Sequence, residues 1–368
     1  MSWFWQNTIV FTLLAALSLA AAVLAQRQYW RSAMREIVRR PSAVAAAAIL
    51  TLYALIAIAD SIGWASPVRN NDTGEIMRHP ESGRVICDRG MSLLDRILTP
   101  LRDKREFSYS APLATHGSWL ENSTGNDGRT VRINPPLRYP HSHWCGTDRI
   151  GMDVLYLTLK SIRTGLVIGL FTTLLALPFA MLTGILAGYF GGWLDDIIQY
   201  VYTVISAVPT VLFIAAFIVI FGPGLPQLCT AMGLASWTAL CRLLRAETLK
   251  LREQDFVTAA VSCGLPGWKI IIRHIVPNVL HVVIITTVLR FSSEVLSEAV
   301  LTYLGIGVGA DTMSWGTMIN DARSELTRNP AVWWKLCSAF LFMFGLVLPA
   351  NIFGDAVRDA LDPRLRQR

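Results

Sequence analysis

Apolar residues in this chain gather in long uncharged blocks: Met1 to Ala25, Ser42 to Ala59, Thr164 to Leu194, Ile197 to Cys241, Ile275 to Leu289 and Leu336 to Gly354. A helix needs about 20 residues to cross a bilayer, so each block predicts one crossing. The 45 residues from Ile197 to Cys241 predict two, parted at Gly222-Pro223-Gly224-Leu225-Pro226, where proline and glycine end helices. The pattern predicts an all-α integral membrane protein with seven transmembrane helices. In that reading a span at 1–26 is followed by a basic loop at 27–41, a second span at 42–66 and a polar region at 67–157. Five more spans fill 158–356, and a tail runs over 357–368. Met1 to Asn7 has no Lys or Arg of the kind that starts a secretory signal, so the first block counts as a span.

Composition fits a lipid-facing molecule. Hydrophobic residues make up 53% and charged residues 16%, against about 25% charged in soluble domains. Basic residues gather in short loops. Arg27, Arg31, Arg35, Arg39 and Arg40 lie between the first two blocks, Arg242, Arg245, Lys250, Arg252, Lys269 and Arg273 follow the fifth crossing, and Arg358, Arg364, Arg366 and Arg368 end the chain. The excess of basic residues on cytoplasmic loops places all three inside and puts Met1 and the polar region 67–157 outside. The net charge of +7 follows from these loops. No nucleic-acid surface is expected, because the arginines are split among loops without interleaved aromatics.

Between the fifth and sixth crossings lies Asp255 to Asn278, a polar-edged island. Asp255 is the expected cap of a two-turn helix, Phe256 to Cys263, which Gly264 ends. Pro266 opens a second helix that passes Trp268 and Ile275 into the sixth crossing. Within that crossing Arg290, Glu294 and Glu298 recur every four residues and share one face, with Arg290 placed to pair with Glu294. Charges in a span are costly, so the row either lines a pathway or forms an ion pair against a partner subunit. Pro178, Pro209 and Pro349 fall inside spans and predict packing kinks.

Catalytic motifs are missing. A phosphate-binding P-loop needs Gly before its Lys, and the five lysines follow Asp103, Leu159, Leu249, Trp268 and Trp334. HExxH and G-x-S-x-G are also absent from the sequence. No cofactor is expected on this chain, and energy for any work has to come from a partner. Cys87 and Cys145 fall in the region read as exported and are its candidate disulfide pair. Cys229, Cys241, Cys263 and Cys337 lie in or beside spans and read as packing residues.

The order Ala259-Ala260, three residues, Gly264, ten residues, Ile275-Val276-Pro277 resembles the cytoplasmic EAA motif of permease subunits in ATP-binding-cassette importers. Thr258 stands where the family usually has Glu. His143-Trp144-Cys145-Gly146-Thr147-Asp148-Arg149-Ile150-Gly151-Met152-Asp153-Val154 resembles the H-x-L-G-T-D-x-x-G-R-D-V segment of dipeptide, oligopeptide and nickel permeases. Cys145 replaces an apolar residue there and Met152 replaces Arg. Ala187 to Asp196, Phe221 to Leu225, Leu304 to Val308, Ser314-Trp315-Gly316 and Asp359 to Arg364 are similar to later family loops.

The resemblance implies a six-helix permease core, here with an extra N-terminal helix and an enlarged external loop, in the bacterial inner membrane. It implies a coupling segment at 246–274, with Asp255, Phe256, Val257, Thr258, Ala259, Ala260, Gly264, Ile275 and Pro277 transmitting motion from an ATPase. It also implies a second homologous permease, two ATPase subunits carrying ATP and Mg, and a periplasmic substrate-binding protein. The N-terminus would be periplasmic and the C-terminus cytoplasmic. Peptides lead as substrate, with nickel or another small solute as the alternative. His141, His143 and Cys145 alternate and in an extended strand would present three metal ligands to one side, yet His143 is a common residue of the family whatever the substrate. Two other classes would look different: a secondary transporter usually carries an inverted repeat, which is not found here, and a membrane-anchored receptor or scaffold has no use for the island at Asp255 to Asn278.

Overall fold

A computed structural model of the protein describes residues 28–67, 87–124, 130–309 and 312–361. The span expected over 1–26 lies outside these residues. In chain order the helices are α1 (Gln28–Arg39), α2 (Pro41–Ser61), α3 (Leu93–Ile97), α4 (Thr99–Arg102), α5 (Val154–Phe190), α6 (Gly192–Ala207), α7 (Thr210–Phe221), α8 (Leu225–Arg252), α9 (Asp255–Ser262), α10 (Gly267–Tyr303), α11 (Trp315–Glu325) and α12 (Trp334–Leu361). Four of them, α2, α5, α10 and α12, are long and apolar enough to cross a membrane, and α6 with α7 forms a fifth candidate bent by 85°.

The block Ile197 to Cys241 departs from expectation. It holds three helices, because the chain also breaks at Val208 and Pro209, and α7 starts directly after Pro209. Pro209 therefore interrupts the helix outright, where a kink was expected. Proline disfavours helical geometry in the residue before it, and Val208 is extended accordingly. The break at 222–224 is where the sequence placed it. Pro178 and Pro349 do lie inside continuous helices. The amphipathic α8, which ends in Lys250 and Arg252, is too polar to count among the apolar spans.

The chain divides into two compact units, one drawn mainly from Leu50–Arg163 and Met313–Met343, the other from Ala33–Ile49, Thr164–Thr312 and Phe344–Arg368. The first is not purely helical. It carries two antiparallel ribbons, β1 (Gly63–Pro67) with β2 (Cys87–Ser92), and β3 (Glu121–Thr124) with β4 (Thr130–Ile133). Gly63 faces Ser92 in the first ribbon and Glu121 faces Ile133 in the second.

Polar contacts fix this first unit. Ser92 and Asp95 form a reciprocal capping box at the start of α3, and the Ser92 hydroxyl also donates to Asp60. Lys160 on α5 closes the cluster, with Nζ 2.8 Å from Asp95 Oδ1 and 3.5 Å from Asp60 Oδ1. Asp153 caps α5 by accepting from Leu155 N–H with one oxygen while its other oxygen meets His143 Nδ1 at 2.9 Å. The buried indoles of Trp315 and Trp334 donate to the Thr158 and Thr147 carbonyls.

The second unit has an apolar core in two parts. One gathers Ile185, Leu240, Leu244, Val257, Ala260, Ile270, Ile275 and Val279. The other gathers Ile168, Ile214, Leu228, Met232 and Leu301. Close helix packing is set by Gly184 and Gly188 on α5. A Cβ on Gly184 would lie 2.7 Å from the Cys241 carbonyl oxygen of α8, and one on Gly188 would lie 2.8 Å from that of Arg245. Small residues four apart let two helix backbones approach in this way.

Candidate coupling site

The island Asp255 to Asn278 folds as a short helix set before a long one. Gln254, extended, precedes α9 and supplies no side-chain cap, so Asp255 is the first helical residue and not the cap the sequence suggested. An acidic residue in the first turn still complements the helix dipole. Two backbone bonds close the far end, Cys263 N–H to the Ala259 carbonyl at 2.9 Å and Leu265 N–H to that of Ala260 at 3.2 Å. They require Gly264 in left-handed geometry, with φ of 76° and open space where a Cβ would stand.

The faces of α9 are sharply divided. Val257, 1% exposed, and Ala260 enter the same core as Leu244 of α8 and Ile270 and Ile275 of α10. Phe256, Thr258, Ala259 and Val261 face outward, continued by Leu265 and Trp268 in the next turn. The Thr258 hydroxyl turns back to the Gln254 carbonyl. Of the coupling residues read from the sequence, Val257, Ala260 and Ile275 are thus anchors. Asp255, Phe256, Thr258 and Ala259 are available at the surface.

Gly267 to Tyr303 is one helix of 37 residues, which passes through a π-turn at Ile271–Ile275. Pro277 explains the wide turn: it has no N–H for the carbonyl one turn back, and its ring needs room there. Composition gives no signal for a π-turn beyond the proline itself. Sequence reasoning also missed the bidentate pair of Asp195 on α6 with Arg245 on α8, which braces the same end of this unit.

Farther along α10 lie Arg290, Glu294 and Glu298. Glu294 and Glu298 are both buried. Arg290 Nη1 donates to the Ser236 carbonyl of α8 at 2.9 Å, and among the described residues it forms no salt bridge with Glu294. The expected ion pair is corrected accordingly: the guanidinium hydrogen-bonds across to α8, and Glu294 lies within its field but outside salt-bridge distance. Glu298 accepts from the Thr302 hydroxyl at 2.8 Å.

In the first unit, His143 is buried with Nδ1 on Asp153 and Nε2 3.8 Å from Glu106. His141, exposed and in left-handed geometry, meets the Leu113 carbonyl with its own ring. Among the described residues no cluster of three His, Cys, Asp or Glu is placed to hold a metal, so the alternating reading of His141, His143 and Cys145 does not carry over to the fold. Cys145 is a half-buried free thiol whose pKa is pushed up, chiefly by burial, and the Cys87 side chain lies outside the described residues.

Residues 180–367 match the family described as binding-protein-dependent transport system inner membrane component. Over 256 residues the chain is 34% identical to the dipeptide transport system permease protein DppC of Alkalihalophilus pseudofirmus, covering 70% of this chain and 81% of that protein. It is 34% identical over 225 residues to the glutathione transport system permease protein GsiD of Pectobacterium atrosepticum, covering 61% and 74%. Against the oligopeptide transport system permease protein OppC of Bacillus subtilis the figures are 34% over 233 residues, 63% and 74%. The matched stretch contains α9, its glycine turn and the π-turned α10, and the chain belongs to the binding-protein-dependent transport system inner membrane component family.

Proposed function

We propose that this chain is the permease subunit of an ATP-driven importer of short peptides, which pairs with a second homologous permease and docks an ATPase on α9. The relatives' names support the peptide class, since those quoted above are permeases of dipeptide, glutathione and oligopeptide systems. The observation that carries the docking claim is the division of α9. Val257 and Ala260 lock it into the core, while Phe256, Val261 and Leu265 stay uncovered. Contiguous exposed apolar groups mark surfaces that bind something.

Force applied to that outer face has a stiff route inward, because the buried face of α9 shares one core with α5, α8 and the start of α10. ATP and Mg belong to the partner ATPases, and their binding would rock α8 and α10 as one body. The π-turn before Pro277 is the place where α10 can bend. Arg290, Glu294 and Glu298 would then line the passage. On this reading α9 is cytoplasmic, the region 67–157 meets a periplasmic binding protein, the N-terminus is periplasmic and the C-terminus cytoplasmic.

The test is a cysteine cross-link from Thr258→Cys to a co-expressed ATPase, in a Cys263→Ser background. Adducts are expected from position 258 and not from the buried control Val257→Cys. A complex that imports a dipeptide yet forms no adduct from position 258 would refute docking at α9.

A further inference from the structure

The first unit holds an open pocket of about 430 Å³ on the region 67–157, apart in sequence from the residues assigned to coupling. Three segments build it: Arg105 to Phe107, Trp119 to Glu121, and Pro135 to Arg138. Glu106 in its lining is a buried carboxylate that accepts the backbone N–H groups of Arg138 at 3.0 Å and Tyr139 at 2.7 Å and lies 3.8 Å from His143 Nε2, so its charge is satisfied within the protein. One wall is aromatic. The Trp119 ring stands 5.7 Å from that of Phe107, and it lies so close over Gly117 that a Cβ there would collide with it. The Trp119 indole is held in turn by Glu121 at 2.9 Å. Phe107 is 79% exposed, a high value for so apolar a ring.

Two arginines line the pocket, beside the exposed Glu121 carboxylate that accepts from the Trp119 indole. Arg105 and Arg138 stand exposed on its rim, and among the described residues neither has a carboxylate within salt-bridge distance. The Arg138 guanidinium lies 5.5 Å from the centre of the Tyr139 ring, a contact that leaves its charge un-neutralised. A guanidinium fork suits a carboxylate, and an aromatic surface in the same lining as two prolines suits an apolar side chain. We infer that this cavity binds the free carboxyl end of a short peptide with an apolar or aromatic last residue, its carboxylate on Arg105 and Arg138 and its side chain against Phe107 and Trp119.

The choice of a peptide rests on the import reading; the preference for an anion with an apolar body rests on the cavity alone. The experiment uses the full chain with its partner subunits in nanodiscs, without the binding protein, and the dipeptide Ala-Phe as the probe in equilibrium dialysis. Ala-Phe should bind, and its C-terminal amide should bind at least tenfold more weakly. Arg105→Gln should weaken binding severalfold, and Trp119→Ala should weaken it tenfold or more. Arg105 is exposed, so its variant tests the site without threatening the fold, and an unchanged melting temperature checks Trp119→Ala. No binding of Ala-Phe, equal binding of the amide, or full retention in both variants would overturn the inference. Uptake of Ala-Phe by the complete importer is measured in parallel. Uptake without cavity binding sinks the inference and leaves import standing, whereas binding without uptake does the reverse.

Discussion

Asp195 on α6 and Arg245 on α8 meet in a bidentate ion pair, Nε to Oδ1 at 2.5 Å and Nη2 to Oδ2 at 2.6 Å, with Gln199 donating to the same carboxylate at 3.0 Å. Both side chains are more than three-quarters covered. Replacing Arg245 by Ala leaves a largely covered carboxylate with one neutral donor and should cost about 2–3 kcal/mol. Arg245→Lys keeps the charge but not the fork and should lose about half as much. Thermal unfolding of the nanodisc-embedded chain measures both, and equal losses would show that the planar geometry contributes nothing.

Opposite roles are expected for two adjacent residues of α9. Val257→Ala removes two buried methyl groups and should destabilise the second unit by about 2 kcal/mol. Thr258→Glu restores the carboxylate usual in the family at an exposed position and should leave stability within about 0.5 kcal/mol. If α9 docks an ATPase, Thr258→Glu keeps or raises the uptake obtained per ATP. A collapse of uptake in that variant, with melting temperature unchanged, would mean that the docked ATPase rejects the carboxylate.

Sequence periodicity located α2, α5, α10 and α12, because a bilayer demands unbroken apolar length and that demand is local. It misjudged the segment Ile197 to Cys241, where hydropathy is continuous but Val208 and Pro209 redirect the backbone. The position and turn of α9 were also legible, since Gly264 requires left-handed geometry whatever surrounds it. What stayed hidden were pairings set by three-dimensional packing. Lys160 with Asp95 spans 65 residues, and Arg290 chooses the Ser236 carbonyl over a glutamate on its own helix. No spacing rule announces either. The two β-ribbons were missed because their strands are four to six residues long and sit among Gly, Asn and Pro, which reads as loop.

Gly264 offers a test of backbone geometry alone, because no atom lies near the position of an added Cβ. Gly264→Ala should therefore cost only the strain of left-handed geometry, about 1–2 kcal/mol, while Gly264→Asn should cost less. The expected order of uptake is Gly above Asn above Ala. Equal uptake in all three would show that transport is insensitive to the turn that ends α9.

Arg290 donates to a main-chain carbonyl on α8, so charge and hydrogen bond can be separated there. Arg290→Gln keeps an N–H donor, whereas Arg290→Met keeps only length. If the residue holds α8 to α10, Gln should preserve the melting temperature better than Met. If its charge faces the passage, both lose uptake alike. Glu298→Gln, measured beside them, should lower uptake with the complex still assembled, and unchanged uptake would remove Glu298 from the pathway.

The Asp60, Ser92, Asp95 and Lys160 cluster gives the first unit an acid limit. Burial alone would raise the pKa of the Asp95 carboxyl, but hydrogen bonds from Lys160, from the Tyr156 hydroxyl at 2.6 Å and from Ser92 N–H together hold it below its ordinary value. A carboxyl with a lower pKa in the folded state than in the unfolded chain stabilises the fold above the unfolded value of about 3.9. That stabilisation fades as pH falls through the folded value, so the melting temperature of the wild-type chain should drop below about pH 4. Asp95→Asn removes the charge and one of the two acceptor oxygens, so a single carbonyl is left for Ser92 N–H, Tyr156 and Lys160, and at neutral pH it should cost about 2 kcal/mol. It should also flatten the acid limb, because an amide at position 95 does not titrate. Melting curves taken between about pH 3 and about pH 7 decide the matter: parallel acid limbs in the two proteins would place the acid-sensitive group elsewhere.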